Sequence, residues 1–315
     1  MKVSIYGTVF NNGSIIQRSL LTLFNQMNKF FDDWEVIIVD NFSSDGTWET
    51  LKKMKKRYDN IKLIRVKCTR GRGRQIALQN TTGKYVFSVD FDHIFENGFG
   101  KLISKEIKKC GKNDLIYPYA VARRSTAIKI GWRNLNVGED TDFSRGALIK
   151  KINVKSILIY PFSLNEKMNQ FEREKRYANG FKFMIRKFKN LVDLTRIRGG
   201  KQDEVLRALG ITIIKRKINF FYKIISFLGI PIIFSISLFG LGNGKIIRNI
   251  VHIYPEEIGF PSRYFLTTFN ITSSAYKAIE LIKKFRSKYE DVKIKEVDGI
   301  KYVYLDEGIL RRVIM

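Results

Sequence analysis

The first 121 residues alternate between short apolar runs and amphipathic segments, and this alternation limits the possible folds more than any other feature. The runs are rich in Val, Ile and aromatic residues, which is typical of buried strands. The segments between them carry apolar residues at helical spacing, as at Ile16, Leu20, Leu23 and Met27. Strands that alternate with helices in this way predict βαβ units, and so an α/β fold with a mainly parallel sheet.

Turn residues and helix-capping residues give approximate bounds for each element. The predicted strands cover residues 3–9, 34–40, 61–66, 85–89 and 115–121. The predicted helices cover about residues 15–27, 48–58, 75–80 and 98–109. Between the third strand and the third helix, the glycine-broken basic stretch Arg70–Arg74 is predicted to be a loop.

Polar stretches follow four of the predicted strands. They are Phe10–Asn12, Asp40–Asn41, Arg70–Arg74 and Asp90–Asp92. Ligands of parallel α/β sheets bind outside the carboxyl ends of the strands. Although each stretch alone is consistent with an ordinary surface turn, four of them at one edge predict a binding site there.

The most informative of these stretches is Asp90-Phe91-Asp92, which directly follows the apolar run Tyr85–Val89. Two carboxylates side by side at the end of a buried strand repel each other unless a cation lies between them. Mg²⁺ or Mn²⁺ binds one or two protein carboxylates and completes its shell with phosphate oxygens and water. The alternative is a surface turn in which Asp90 caps a helix. Taken alone, the pair favours that alternative.

A second acidic group lies further along the chain, where Glu139, Asp140 and Asp142 stand at the predicted start of a helix. Carboxylates are favoured at a helix N-terminus by the helix dipole, so capping is one interpretation. The other interpretation is a general base that faces the metal site.

The charge balance indicates an anionic partner. The chain has 315 residues with 57 basic and 30 acidic side chains, a formal net charge of +27. Such a field attracts nucleic acid, an acidic membrane surface or phosphorylated substrates, although a solvated basic face is also consistent with it. The basic excess is densest in residues 143–223, where it is mixed with apolar and aromatic residues as at a membrane surface. The two cysteines form no disulfide framework, and a reducing, cytosolic compartment fits.

The C-terminal half departs from the α/β pattern. Residues 164–192 form a basic amphipathic segment, and Ile224–Gly242 is a run of 19 residues without a charge. A membrane span needs about 20 apolar residues, and Gly229 and Pro231 would kink this one. We rank a segment that dips into one leaflet first and a span second; a buried hairpin is the third interpretation.

Three regions follow from these patterns. Residues 1–215 form the α/β domain with basic amphipathic helices at its end, residues 216–244 form an apolar membrane-associated segment, and residues 245–315 form a small α/β piece. In the last region we expect a helix at about 273–289 and a hairpin over 292–305 that turns at Asp298-Gly299.

About the first 150 residues resemble the family-2-type glycosyltransferases of the GT-A fold, a Rossmann-like α/β architecture. The resemblance lies in the residues of five stretches and in their order along the chain. These are Val3–Asn11, Val39–Thr47, Gly73–Tyr85, Asp90-Phe91-Asp92, and Gly138–Phe143 with Arg145. The chain differs from the family at Asp40-Asn41, where two acidic residues are usual, and at Thr8-Val9-Phe10, where Pro-Thr-Tyr is usual. The resemblance therefore leaves the nucleobase open.

The resemblance implies a nucleotide-diphosphate-sugar donor and a divalent metal, Mg²⁺ or Mn²⁺. It implies that Asp140 is the catalytic base with Glu139 beside it, and that Asp90 and Asp92 hold the metal. The residues it assigns to the donor are Thr8, Phe10, Asn11, Asp40, Asn41, Arg70, Arg74 and Asp90. One base without an evident second nucleophile predicts a single displacement that inverts the anomeric centre.

The sequence thus predicts a glycosyltransferase with a saccharide or lipid-linked acceptor, held at the cytoplasmic face of a membrane by an anionic lipid surface. No nucleic-acid partner is expected. Two alternatives belong to other classes: a metal-dependent nucleotidyltransferase, and a non-catalytic basic adaptor for membranes or nucleic acid built on a degenerate enzyme fold. The intact acidic pairs argue against the adaptor, and the second pair at Glu139-Asp140 is less expected in a nucleotidyltransferase.

Overall fold

The computed structural model describes residues 2–157, 162–165, 189–190, 192–193, 196–198, 250–253, 255–259, 292–297, 300–305 and 312–313. The chain divides into two compact units, Met1–Lys155 with Phe162–Val251, and Ser156–Pro161 with His252–Met315. Four predictions lie outside the described residues: most of the basic amphipathic segment, the apolar run Ile224–Gly242, the helix at 273–289 and the boundary at residue 215.

Fifteen helices and strands follow one another between residues 3 and 165. They are β1 (Val3–Val9), α1 (Ile16–Asn28), β2 (Trp34–Asp40), α2 (Thr47–Arg57), β3 (Ile61–Arg65), α3 (Arg70–Gln79), β4 (Tyr85–Ser88), β5 (His93–Phe95), α4 (Phe99–Lys109), β6 (Asp114–Tyr117), β7 (Val121–Arg123), α5 (Arg124–Ile130), α6 (Glu139–Ile149), β8 (Asn153–Ile157) and β9 (Ser163–Asn165). Strand β10 (Ile250–Ile253) and the 3-10 helix Pro255–Ile258 come later in the chain.

Among the strands between residues 3 and 157, seven belong to the main sheet, in the order β8-β6-β7-β4-β1-β2-β3. Strand β1 pairs in parallel with β2 and with β4, and β2 pairs in parallel with β3. Strand β7 runs antiparallel to both β4 and β6. The predicted α/β fold with a mainly parallel sheet is confirmed, and the carboxyl ends of β1 to β4 lie at one edge.

The centre of the sheet is covered on both faces. Neighbouring residues in a strand point to opposite faces of the sheet. Both members of two such pairs have no exposed surface, namely Ile5 and Tyr6 in β1 and Ile37 and Ile38 in β2. Burial on both faces is why these strands read as continuous apolar runs in the sequence.

Two sequence predictions about elements are wrong. Residues 115–121 form not one strand but the antiparallel pair β6 and β7, because the chain turns between Tyr117 and Val121. Proline lacks the backbone N–H that a central strand needs, so Pro118 ends β6. A smaller correction concerns Leu164, which lies in β9 opposite β5 and does not begin the basic amphipathic segment.

The second wrong prediction is the basic loop, since helix α3 already begins at Arg70. The Thr69 hydroxyl accepts a hydrogen bond from the Arg72 backbone N–H and caps the helix. The glycines that suggested a loop serve close packing. A Cβ at Gly71 would overlap the Arg133 carbonyl oxygen, and one at Gly73 would lie 2.6 Å from the Thr8 hydroxyl.

The second unit contains a three-stranded antiparallel sheet. Strand β11 (Val292–Val297) pairs with β12 (Ile300–Leu305), in agreement with the predicted hairpin, and β13 (Arg312–Val313) pairs with the other edge of β12. None of the helices in the described parts of the chain is long and apolar enough to cross a membrane.

Candidate active site

Hydrogen bonds hold together the segments at the carboxyl ends of β1, β2 and β3. The Asn41 side chain accepts from the Cys68 backbone N–H at 2.8 Å, which joins the ends of β2 and β3. The Thr8 hydroxyl donates to the Val39 carbonyl at 3.0 Å, and the Asn11 backbone N–H donates to the Ser43 hydroxyl at 2.9 Å. The carboxyl edge is therefore a continuous, cross-linked surface.

A potential cation site lies in the turn after β4. One ligand atom from each of Asp90, Asp92 and His93 lies within 4.8 Å of the others. The His93 Nδ1 atom is 3.2 Å from the Ser163 hydroxyl, which also accepts a hydrogen bond from Tyr119. The sequence predicted the two carboxylates but not His93, although its position directly after Asp92 was a usable signal. Imidazole is the commonest side-chain metal ligand.

Arg74 connects this turn to the second acidic group. Its Nη2 atom donates to Asp90 at 2.7 Å, and its Nη1 atom donates to Glu139 at 2.9 Å and to Asp140 at 2.5 Å. Desolvation would raise the pKa of Asp90, but the charges of Arg74, His93 and Arg70 and the hydrogen bond from Arg74 together outweigh it and lower that pKa. The same carboxylates raise the pKa of Arg74. The guanidinium is therefore a permanent cation among three acids.

Glu139 and Asp140 open helix α6 in different surroundings. The Glu139 side chain is 1% exposed and binds the guanidinium groups of both Arg70 and Arg74. The Asp140 side chain is 62% exposed and lies beside Arg74. Partial desolvation, with the nearby negative charges of Glu139 and Asp90, raises the pKa of Asp140 to about 6 against the opposing Arg74 charge.

Asp142, the third acid of this helix, has a structural role. It is fully buried, and its carboxylate binds Arg198 at 2.7 Å and Arg133 at 3.2 Å. These contacts anchor the start of α6, so Asp142 fixes the position from which Glu139 and Asp140 project.

The edge at β2 and β3 carries an aromatic and cationic stack. The Arg65 guanidinium lies 5.0 Å from the ring centroid of Phe42 and 5.1 Å from that of Trp48. Its Nε atom pairs at 3.2 Å with the fully buried carboxylate of Asp40. Phe42 is 55% exposed and has a φ of 54°, a conformation uncommon for a bulky residue. The sequence did not predict Arg65 and Phe42 as site residues, because neither residue type by itself indicates a binding site.

The structure thus brings the predicted residues into two neighbouring groups. The first group contains Arg70, Arg74, Asp90, Asp92, Glu139 and Asp140. The second contains Thr8, Phe10, Asn11, Asp40 and Asn41 at the ends of β1 and β2. The first group can hold a cation and a base, and the second offers polar and aromatic groups to a planar ligand. The individual roles stay predictions.

The chain is similar in sequence to proteins of known family. A family model described as glycosyl transferase family 2 matches residues 4–189, more than half of the chain. The poly(ribitol-phosphate) beta-glucosyltransferase of Bacillus spizizenii is 38% identical over 96 residues, 29% of this chain and 15% of that protein. The dolichyl-phosphate beta-glucosyltransferase ALG5D of Trichomonas vaginalis is 31% identical over 121 residues, 38% of this chain and 33% of that protein.

These matches span a third or less of either relative's length. Among solved structures, Staphylococcus aureus TarS 1–349 in complex with UDP-GlcNAc aligns over 100% of both chains, with 15% sequence identity and a TM-score of 0.48.

Proposed function

The chain belongs to glycosyl transferase family 2, and we propose that it is an enzyme that moves a sugar from a nucleotide-diphosphate-sugar to an acceptor hydroxyl. The observation that carries this proposal is the pairing, across Arg74, of a potential cation site with an exposed carboxylate. Sugar transfer needs both parts, a stabilised diphosphate leaving group and a base for the acceptor hydroxyl.

The donor would lie along the carboxyl ends of β1, β2 and β4. We propose that Thr8, Phe10, Asn11 and Asn41 line the nucleoside part, because they form one cross-linked surface at the ends of β1 and β2. Asp40, whose carboxylate is fully buried, would support this surface through its ion pair with Arg65. Arg70 would contribute positive charge toward the diphosphate. Its side chain is 43% exposed, so the guanidinium remains accessible from the cleft.

A divalent cation, Mg²⁺ or Mn²⁺, fits the turn after β4. Asp90, Asp92 and His93 supply oxygen and nitrogen atoms within one cation's reach, and Asp90 is still 51% exposed while bound to Arg74. We propose Asp90 and Asp92 as ligands, with His93 as a third. When bound, such a cation supplies the charge that stabilises a departing diphosphate.

We propose Asp140 as the general base of a single, inverting displacement. Its carboxylate is exposed at the cleft, whereas the Glu139 carboxylate is buried between two arginines. An acceptor hydroxyl that loses its proton as it attacks needs a carboxylate that it can reach. Asp140 meets that requirement and Glu139 does not.

We propose an acceptor that bears phosphate and is lipid-linked or presented at a membrane, with the enzyme on the cytoplasmic face. The two relatives are named for poly(ribitol-phosphate) and for dolichyl-phosphate, both of which carry phosphate groups. The net charge of +27 suits an anionic acceptor or an anionic lipid surface.

The test is a thermal-shift panel of nucleotide-sugars with and without Mn²⁺, applied to the wild type, Asp92→Asn and Asp59→Asn. Asp59 is exposed beyond α2, so its variant makes the same change of charge outside the site. We expect a Mn²⁺-dependent rise in Tm for the wild type and for Asp59→Asn, and none for Asp92→Asn. Asp92→Asn should still fold, because it removes a like charge next to Asp90.

Two outcomes would contradict the proposal. Unchanged donor binding by Asp92→Asn in Mn²⁺ would remove the metal assignment. A wild type that responds to nucleoside triphosphates but to no nucleotide-sugar would favour the nucleotidyltransferase.

A further inference from the structure

The guanidinium of Arg74 is enclosed by the site that surrounds it. Only 4% of its side chain is exposed, and its three hydrogen bonds all go to carboxylates. The ring of Trp132 lies against the guanidinium, 4.9 Å from ring centroid to Cζ. The resemblance assigns Arg74 to the donor, but the guanidinium offers a ligand from solution almost no surface.

The support beneath Arg74 is rigid. The Trp132 indole N–H donates to the Tyr6 hydroxyl at 3.1 Å, and its ring stacks on Phe143 with centroids 4.1 Å apart. Tyr6 and Phe143 have no exposed surface. Buried aromatic rings packed in this way leave little room for another rotamer. The Arg74 guanidinium is therefore held at one position relative to the sheet.

The positions of two exposed carboxylates depend on the position of the Arg74 guanidinium. Asp90 belongs to the turn after β4 and Asp140 to helix α6, and about half or more of each side chain reaches solvent. One guanidinium bridges them, with Nη2 on Asp90 and Nη1 on Asp140. The planar fork of arginine fixes both bonds at once, which a lysine ammonium cannot do.

We infer that Arg74 is a positioning residue that holds the base Asp140 at a fixed separation from the metal ligand Asp90 and does not contact the donor. The roles of the two carboxylates rest on the proposed function. A second consequence is independent of turnover. The Arg74 charge competes with a divalent cation for Asp90, so removing the charge strengthens cation binding.

Two variants separate geometry from charge. Arg74→Lys keeps the charge and loses the fork, whereas Arg74→Gln loses both. The measurements are the Kd of Mn²⁺ alone by calorimetry, the Kd of a nucleotide-sugar in Mn²⁺, and kcat from nucleoside diphosphate release. Arg124→Lys is the matched control, because the Arg124 guanidinium bonds to Thr81 and Gln79 and, among the described residues, to no carboxylate.

In Arg74→Lys we expect the Mn²⁺ and donor affinities to stay within about twofold of the wild type. The kcat should fall on the order of 10²-fold, because a misplacement of the Asp140 carboxylate by about 1 Å has an effect of that size. In Arg74→Gln, kcat falls as well, and Mn²⁺ binds more tightly, on the order of tenfold, because a unit charge beside Asp90 is gone. Arg124→Lys leaves all three quantities unchanged.

Three results would overturn the inference. Donor affinity weakened about tenfold or more in Arg74→Lys would make Arg74 a donor ligand. Parallel losses of Mn²⁺ affinity, donor affinity and kcat would make it structural only. Mn²⁺ binding that is unchanged or weaker in Arg74→Gln would remove the competition for Asp90. If the wild type releases no nucleoside diphosphate from any donor, the proposed function fails. The Kd of Mn²⁺ in Arg74→Gln then still tests whether the Arg74 charge competes with a cation for Asp90.

Discussion

Glu139 and Asp140 differ sharply in exposure to solvent although they are neighbours in the chain. Glu139 is buried between Arg70 and Arg74, and Asp140 is exposed. Adjacent residues of a helix point about 100° apart, so only one of the two can face the cleft. The helix that begins at Glu139 turns Asp140 toward solvent and leaves Glu139 to its arginine partners.

The first prediction at this scale compares the two acids by substitution. Asp140→Asn should lower kcat by a factor on the order of 10²–10⁴, with donor Kd nearly unchanged, because it removes the base and not the donor site. Glu139→Gln should lower kcat less. Steady-state kinetics and donor titration measure both quantities. If Glu139→Gln proved the more damaging change, the role of base would pass to Glu139.

The second prediction concerns pH. The pKa of Asp140 is raised to about 6, and the charged groups around it are Arg74, Glu139, Asp90 and Arg70. A base acts only when unprotonated, so kcat/KM should rise with pH through about 6 and level off above it. Asp140→Asn should lack this rise. A rise of equal size in that variant would assign the ionisation to another group.

Helix α3 is the element on which the site depends, because it carries both Arg70 and Arg74. Its first turn packs tightly against the segment before α6, where the Gly71 N–H donates to the Leu135 carbonyl at 2.9 Å. Gly71 has no side chain, and only this allows the Arg133 carbonyl to approach so closely. The two acidic groups are thus brought together by the contact between α3 and that segment.

Gly71→Ala tests this contact. The added methyl group should push α3 away from the segment before α6, with a loss of roughly 1–3 kcal/mol in the free energy of unfolding. Turnover should fall on the order of 10²-fold, because Arg74 moves relative to Asp140. Urea unfolding and initial rates measure the two effects. Gln79→Ala, at an exposed position of the same helix, is the control. Wild-type values for both quantities in Gly71→Ala would mean that the contact is not needed.

Strand and helix positions were predictable where one local pattern determines them. The bounds of β1 and β2 agree with the sequence because buried parallel strands are continuous apolar runs. The start of α3 was not predictable from local rules, since Gly71 and Gly73 serve contacts with Arg133 and Thr8 that are distant in the chain. The same reason applies to Arg65, whose neighbours in space are set by the folded sheet.

At the scale of the whole molecule, the cation and base groups and the donor-side residues named above lie between Thr8 and Ser163, within the stretch matched by the family model. The features that indicate a membrane surface lie mostly later in the chain. These are the basic excess of residues 143–223 and the uncharged run Ile224–Gly242. Charge and apolar area contribute separately to binding at a lipid surface, and salt screens only the first.

Flotation with lipid vesicles separates the two contributions. The full chain should float with anionic vesicles at low salt and bind zwitterionic vesicles less strongly. At about 1 M salt the Debye length is roughly 3 Å, so the charge contribution disappears and a weaker, salt-resistant fraction remains. Ile233→Asp places a charge in the middle of the uncharged run and should remove this fraction, whereas Ile233→Leu should keep it. A chain that stays at the bottom of the gradient with anionic vesicles at low salt would refute the proposed membrane association and leave a freely diffusing phosphorylated acceptor as the reason for the basic charge.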